Sequence, residues 1–313
     1  MTLNELTRTF ALANEFKEGD LSVGGTRDDQ VRKEAREELA SLRIQGITTA
    51  ALVEDQVTDT LHRSLDAEHS DDLANLTVSD LKQILLGKDA AAWVRRYSNG
   101  LASEVIAAVA KVMTNEELGA VSRAIFNPLP GDGIAIGSRN HFGSRIQPNS
   151  PGDDEEEILF SILEGLTYGC GDVIIGLNPA SDDVDTIIRL EELLSRVVER
   201  LELPTRYCVL SDIVKQASAR ARTRVDVGFQ SLAGTSRALG GIVGLDVDGL
   251  LDVARGFDGL YFETGQGSAV TNQAAEGIDM LTLEARAYGV ARYLLKLHAF
   301  PYRASAPLSS VLL

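Results

Sequence analysis

From about residue 130 onward the chain repeats one pattern: a short apolar run ending in a polar residue, then an amphipathic segment. The run "GIAIG" leads into "FGSRIQPN", and the acidic "GDDEEE" then opens a helix bearing Ile158, Leu159, Ile162, Leu163 and Leu166. "DVIIGLNP" reads as a buried strand. The segment after it, "SDDVDTIIRLEELLSRVVERL", places Val184, Ile187, Ile188, Leu194, Val197, Val198 and Leu201 on one helical face. We expect Ser181 to cap that helix, acids to occupy its first turn and Pro204 to stand past its end. "RYCVLSD", "VDVGFQS" and "DGLYFET" supply three more strands. Alternating strands and helices of this kind predict α/β architecture with a parallel sheet. The sheet is either doubly wound or part of an eight-stranded barrel, and in both cases ligands bind at the carboxyl ends of the strands.

The first hundred or so residues read as helices and polar connections, with no strand-like alternation before about residue 130. "DQVRKEAREELASLRI" is apolar at Val31, Ala35, Leu39 and Leu42. "GLASEVIAAVAKVMTNEEL" reads as one helix, with Leu101, Val105, Ile106, Val109 and Val112 on a stripe. A formal charge of −16 over 313 residues opposes binding to nucleic acid or to anionic lipid. Cys170 and Cys208 are far apart and make no disulfide framework, which suits a reducing cytoplasm. The amino-terminal segment lacks a basic region followed by an apolar core, so we expect no signal peptide. No apolar run reaches the roughly 18 residues that a membrane span needs.

Polar residues at the strand ends are the candidates for chemistry. Arg145 and Gln147 lie two apart, so a strand puts both side chains on one face. Asn178 follows "VIIGL" on the face of Ile174 and Gly176; Gln230 and Ser231 follow Phe229; Glu263 follows Phe262. Each alone reads most simply as a cap or a loop contact. Together, an arginine, two amides and a carboxylate would converge on one small polar substrate. "GDGIAIG" and "FETGQGS" carry paired glycines, but neither matches a phosphate-loop fingerprint. "DDEEE" fits the first turn of a helix better than a metal site. His62, His69, His141 and His298 are scattered without zinc spacing, and Cys170 reads as a small buried residue.

At these residues a family resemblance emerges. "SRIQPN", "GDVIIGLNPASDDV", "CVLSD", "FQSLAGT", "LYFETGQGSA" and "DMLTLEARAYGVARY" resemble, in order and spacing, the large subunit of ethanolamine ammonia-lyase, over roughly residues 5 to 293. The resemblance implies adenosylcobalamin-dependent deamination of ethanolamine to acetaldehyde and ammonia, with a small subunit and further large subunits as partners. It implies a cytoplasmic protein, or one inside a bacterial microcompartment. By motif match, Arg145 and Glu263 would hold the substrate hydroxyl, Gln147 would contact the amine, and Asn178 would bridge the two. Phe229 and Ser231 of "FQSLAGT" fall where the resemblance implies contact with the coenzyme. On this reading "FETGQGS" is a strand end that offers a carboxylate, and its glycines make room for backbone and ligand.

Two departures qualify that expectation. Gly241 and Ile242 stand where the family has an acidic residue and then an aromatic one, near the coenzyme pocket. After about Tyr293 the resemblance fades into "LLKLHAFPYRASAPLSSVLL", whose prolines oppose a central strand. We therefore expect an N-terminal helical region over 1–125, an incomplete (β/α) TIM-type barrel over 126–293 and a divergent tail over 294–313. A shifted reading frame or a truncated gene would produce such a chain, as would missing strands supplied by a separate chain. The expected activity of the chain alone is nil. The competing readings are a non-catalytic remnant that assembles with a full-length lyase subunit, and a barrel enzyme acting on a small amine or alcohol without cobalamin.

Overall fold

The computed structural model describes residues 1–15, 23–125, 129–130, 135–136, 143–264 and 277–298, with backbone alone for 129–130, 135–136 and 295–298. The chain divides into two units. One gathers Met1–Phe126, Leu232–Val247 and Thr264–Tyr293; the other gathers Asn127–Ser231, Asp248–Glu263 and Leu294–Leu313.

The first unit is helical. It opens with α1 (Leu3–Ala13), α2 (Asp29–Ser41), α3 (Ile44–Thr48), α4 (Gln56–Arg63) and α5 (Ala67–Leu73). It continues through α6 (Val78–Leu86), α7 (Ala90–Tyr97), α8 (Ser103–Lys111) and α9 (Asn115–Ala124). Its core collects Phe10, Leu39, Ile44, Val78, Leu81 and Val105, one apolar face from each of several helices. Ala35 and Leu39 of α2 are buried on the face that the spacing indicates. The segment "GLASEVIAAVAKVMTNEEL" is two helices rather than one. Thr114 accepts the amide of Glu117 while the Glu117 side chain accepts the amide of Thr114, and this capping box starts α9 afresh.

The second unit carries the sheet. Leu129–Pro130 (β1) and Ala135–Ile136 (β2) pair antiparallel, so the "GIAIG" run joins a hairpin. Arg145–Ile146 (β3), Ile174–Leu177 (β4) and Arg206–Val209 (β5) form a parallel sheet in the order β3-β4-β5. The register aligns Arg145 with Ile174 and Ile174 with Arg206. Between these strands run α10 (Glu155–Thr167) and α11 (Val184–Arg200), followed by α12 (Ile213–Arg220). The chain goes on through β6 (Gly228–Leu232), α13 (Ser236–Val243), α14 (Val247–Ala254), β7 (Leu260–Thr264) and α15 (Met280–His298). Alternation along the strands sorts the side chains. Ile175, Leu177, Tyr207 and Val209 pack with Ile158 and Ile162 of α10 and Ile187, Leu190 and Leu194 of α11. Ile174 and Cys208 face the other way, into a cluster with Val173, Val227, Phe229 and Tyr261.

The acidic run "DDEEE" does what the helix dipole favours. Asp154 caps α10 through the amides of Glu156 and Glu157, and Glu155, Glu156 and Glu157 fill the first turn. The cap of α11 is Asp183, which accepts the amide of Thr186, whereas Ser181 donates its hydroxyl to Asp183. Cys170 is partly exposed rather than buried, and both cysteines are free.

β6 pairs with β7, and the Gly228 amide donates to the Gly259 carbonyl at 2.9 Å. Side chains occupy one edge of β5 and one edge of β6. The amides of Tyr207 and Val209 donate to Asp226 and Glu191, at 3.2 and 3.0 Å. Gln216 receives the Phe229 amide at 3.0 Å and donates to the Phe229 carbonyl at 2.8 Å. These bonds satisfy backbone groups that a neighbouring strand would otherwise satisfy. The second unit is therefore α/β with short sheets, and the described residues form no closed barrel. Among them no helix is long and apolar enough to cross a membrane.

Two buried ion clusters tie the first unit together. Arg286 of α15 is fully buried and donates to Glu104, Asp55, Thr58 and the Gly234 carbonyl. Lys111 of α8 donates to Asp279 at 2.5 Å and to Asn14 at 3.1 Å. Gly234 lets its loop lie against α15, since a Cβ there would collide with the Leu283 carbonyl.

Candidate functional site

The polar cluster lies wholly within the second unit. Arg145 on β3 and Glu263 on β7 are 118 residues apart in sequence, yet Nη1 of Arg145 donates to Oε1 of Glu263. Nη2 of the same guanidinium donates to Oε1 of Gln147 at 2.5 Å, so the two-residue alternation does bring Arg145 and Gln147 together. Gly176 on β4 makes room for the arginine, because a Cβ there would stand 3.3 Å from Arg145 Cδ. The fourth member is Tyr261, two residues before Glu263 and therefore on the same face of β7. Its hydroxyl donates to Glu263 Oε1 and accepts from Arg145 Nη1. The guanidinium also lies 5.7 Å from the centre of the Tyr261 ring.

Electrostatics follow from that packing. Burial alone would lower the Arg145 guanidinium, but the bond to Glu263 and the nearness of Tyr261 outweigh it, and the net direction is up. The Tyr261 phenol is pushed well up, chiefly by burial and then by the Glu263 carboxylate, so it stays protonated and donates. Arg145 and Glu263 remain about a quarter exposed, at 20% and 28% of their side chains, so a small ligand can reach them. Each amide or carboxylate oxygen has two lone pairs, and Gln147 Oε1 therefore keeps one acceptor site beside its bond to Arg145.

The other expected residues are placed differently. Asn178 directly follows β4 and is exposed; its amide donates to the Pro148 carbonyl at 3.0 Å. Among the described residues no hydrogen bond joins its side chain to the cluster. Gln230 is buried and structural, accepting the Ile213 amide at 3.0 Å and donating to the Ser231 carbonyl at 2.9 Å. Ser231 is half-buried near the carboxyl end of β6. Phe229 is 5% exposed and packs against Tyr261 with ring centres 5.4 Å apart. Gly241 and Ile242 lie exposed on α13. The glycines of "FETGQGS" lie outside the described residues. Tyr261 is the member that strand-end reasoning missed, since "LYF" reads as an apolar run. The usable signal was its spacing of two from Glu263.

An arginine, a phenol and a carboxylate from β3 and β7, with an amide from the residue just after β3, form a partly exposed cluster with the donors and acceptors that a small polar ligand needs. Comparison with known proteins narrows the class. Residues 1–299 match the model of the ethanolamine ammonia lyase large subunit family (EutB), somewhat further at each end than the recognisable motifs reach. The chain is 33% identical over 310 residues to the ethanolamine ammonia-lyase large subunit of Escherichia coli (strain K12). It is equally similar to that of Salmonella typhimurium (strain LT2). Both matches span 92% of this chain and 67% of the relative. The chain belongs to the ethanolamine ammonia lyase large subunit family.

Proposed function

We propose that this chain carries the ethanolamine-binding part of an adenosylcobalamin-dependent ethanolamine ammonia-lyase. The observation that supports it is the convergence of Arg145, Gln147 and Glu263 from two distant strands, within a chain of this family. Glu263 accepts the substrate hydroxyl, and Arg145 balances the carboxylate and steadies charge that develops on the substrate oxygen. Gln147 meets the amine through its remaining acceptor capacity, and Asn178 bridges hydroxyl and amine. Neutral amides orient the amine without binding it too tightly to migrate.

The coenzyme fit rests on Ser231, which is half-buried and offers a hydroxyl, and on Phe229, which stands behind it in the core. Ser231 would touch the coenzyme and Phe229 would support the wall. When bound, adenosylcobalamin supplies the organic radical that starts the reaction, while the protein orients the substrate and excludes water.

The architecture that goes with this function is a helical region over 1–125, a partial TIM-type barrel over 126–293 and a tail over 294–313. A small subunit and further large subunits are the proposed partners, and the cytoplasm or a bacterial microcompartment is the proposed location. Acetaldehyde release from ethanolamine and adenosylcobalamin is the direct test, run on the purified chain alone and with a small subunit added. We expect no turnover alone and turnover in the assembly. Turnover alone would overturn the expectation of an inactive single chain. An assembly that binds ethanolamine yet never turns over would favour the non-catalytic assembly partner.

A further inference from the structure

Glu263 has two carboxylate oxygens, and the structure uses them unequally. Oε1 receives both the Tyr261 hydroxyl and Arg145 Nη1, while among the described residues no donor reaches Oε2. Arg145 alone could rotate with the carboxylate and present either oxygen, because a guanidinium can meet a carboxylate in several ways. The phenol removes that freedom. Its ring is fully buried, packed against Phe229 and set in the apolar cluster with Ile174 and Cys208, so its hydroxyl is a fixed donor.

We propose that Tyr261 is a positioning residue of this site: its hydroxyl, together with Arg145, occupies Oε1 of Glu263 and leaves Oε2 as the acceptor for the ligand's hydroxyl group. The role rests on the ethanolamine reading given above and adds the residue that decides which carboxylate oxygen the substrate meets. The phenol also sets specificity. A carboxylate held in one orientation rewards a ligand whose hydroxyl sits at the right distance from its amine. A rotating one discriminates less between amino alcohols and simple amines.

The test is calorimetric titration of the chain with ethanolamine and with ethylamine, which lacks the hydroxyl, for the wild type, Tyr261→Phe and Glu263→Gln. Tyr261→Phe keeps the ring and its packing, and an unchanged melting temperature would show the fold intact. We expect this variant to bind ethanolamine about tenfold more weakly while ethylamine binding hardly moves, the loss of one hydrogen bond to a charged group. A merely structural role would weaken both ligands alike, and that result would overturn the proposal. So would unchanged ethanolamine binding in Tyr261→Phe beside a clear loss in Glu263→Gln. A wild type that binds no ethanolamine, or binding indifferent to Glu263→Gln, would instead overturn the site reading and Tyr261's role with it.

Discussion

Glu191 lies on the inner face of α11 with no exposure to solvent, Oε1 taking the Val209 amide and Oε2 without a hydrogen-bond partner among the described residues. Burial pushes its carboxyl up to about 8, against the bond from Val209, which pulls it down. A group whose folded value is raised holds its proton more tightly in the folded state. Its contribution to stability is full below the ordinary carboxyl value of 4.5 and is lost as pH rises toward about 8. The melting temperature should therefore fall across that window, and Glu191→Gln, which mimics the protonated acid, should flatten the fall and be more stable than the wild type at the alkaline end. Thermal denaturation of both proteins across pH checks this; parallel curves would refute it. The residue was legible in one respect. It continues the stripe of Val184, Ile187, Ile188 and Leu194, where a solvated glutamate has no place. Strand alternation placed Arg145 and Gln147 on one face, and Glu263 stood out as the polar residue after an apolar run. Tyr261 was not, because a phenol reads as apolar until its hydroxyl has a partner.

At the scale of elements, the strands after residue 170 fall where apolar runs with polar ends place them: β4, β5, β6 and β7. Their order in space could not be read this way. Asp226 and Glu191 occupy an edge of β5 and Gln216 an edge of β6, and which side chain caps a strand edge depends on contacts remote in sequence. Helix starts were also ambiguous wherever several capping residues stand in a row. In "SDDVD" the cap is Asp183, held near a pKa of about 2 by the Ser181 hydroxyl and the Thr186 amide. Asp183→Ala should lower the melting temperature more than Ser181→Ala, since the first removes the acceptor for the helix amide and the second only its support. Equal effects would mean that the two act as one unit. Thr114 ended the apolar stripe of α8 in the same hidden way, because a capping box outweighs continued periodicity.

At the scale of the whole molecule, neither unit is a continuous stretch of chain: the polypeptide leaves the helical unit and returns to it twice before residue 293. Arg286 shows what those returns secure. Replacing it with methionine would strand Asp55 and Glu104 without their cation, at a cost of about 3–5 kcal/mol. Chemical denaturation should register that loss, and a stable Arg286→Met variant would show that the two acids can protonate or find other partners. The amino-terminal part of this unit was readable as helices from periodicity. Its association with the segment that carries Arg286 was not, since that depends on charges that look surface-bound in sequence. The same arrangement carries a consequence for synthesis. Glu104 and Asp55 leave the ribosome 182 and 231 residues ahead of their arginine. At about 5–20 residues per second, that is an interval of roughly 10–45 s. For that interval the nascent helices have their acids but not the cation that neutralises them. Birth order thus leaves the early helices of this unit to be completed by a segment made much later.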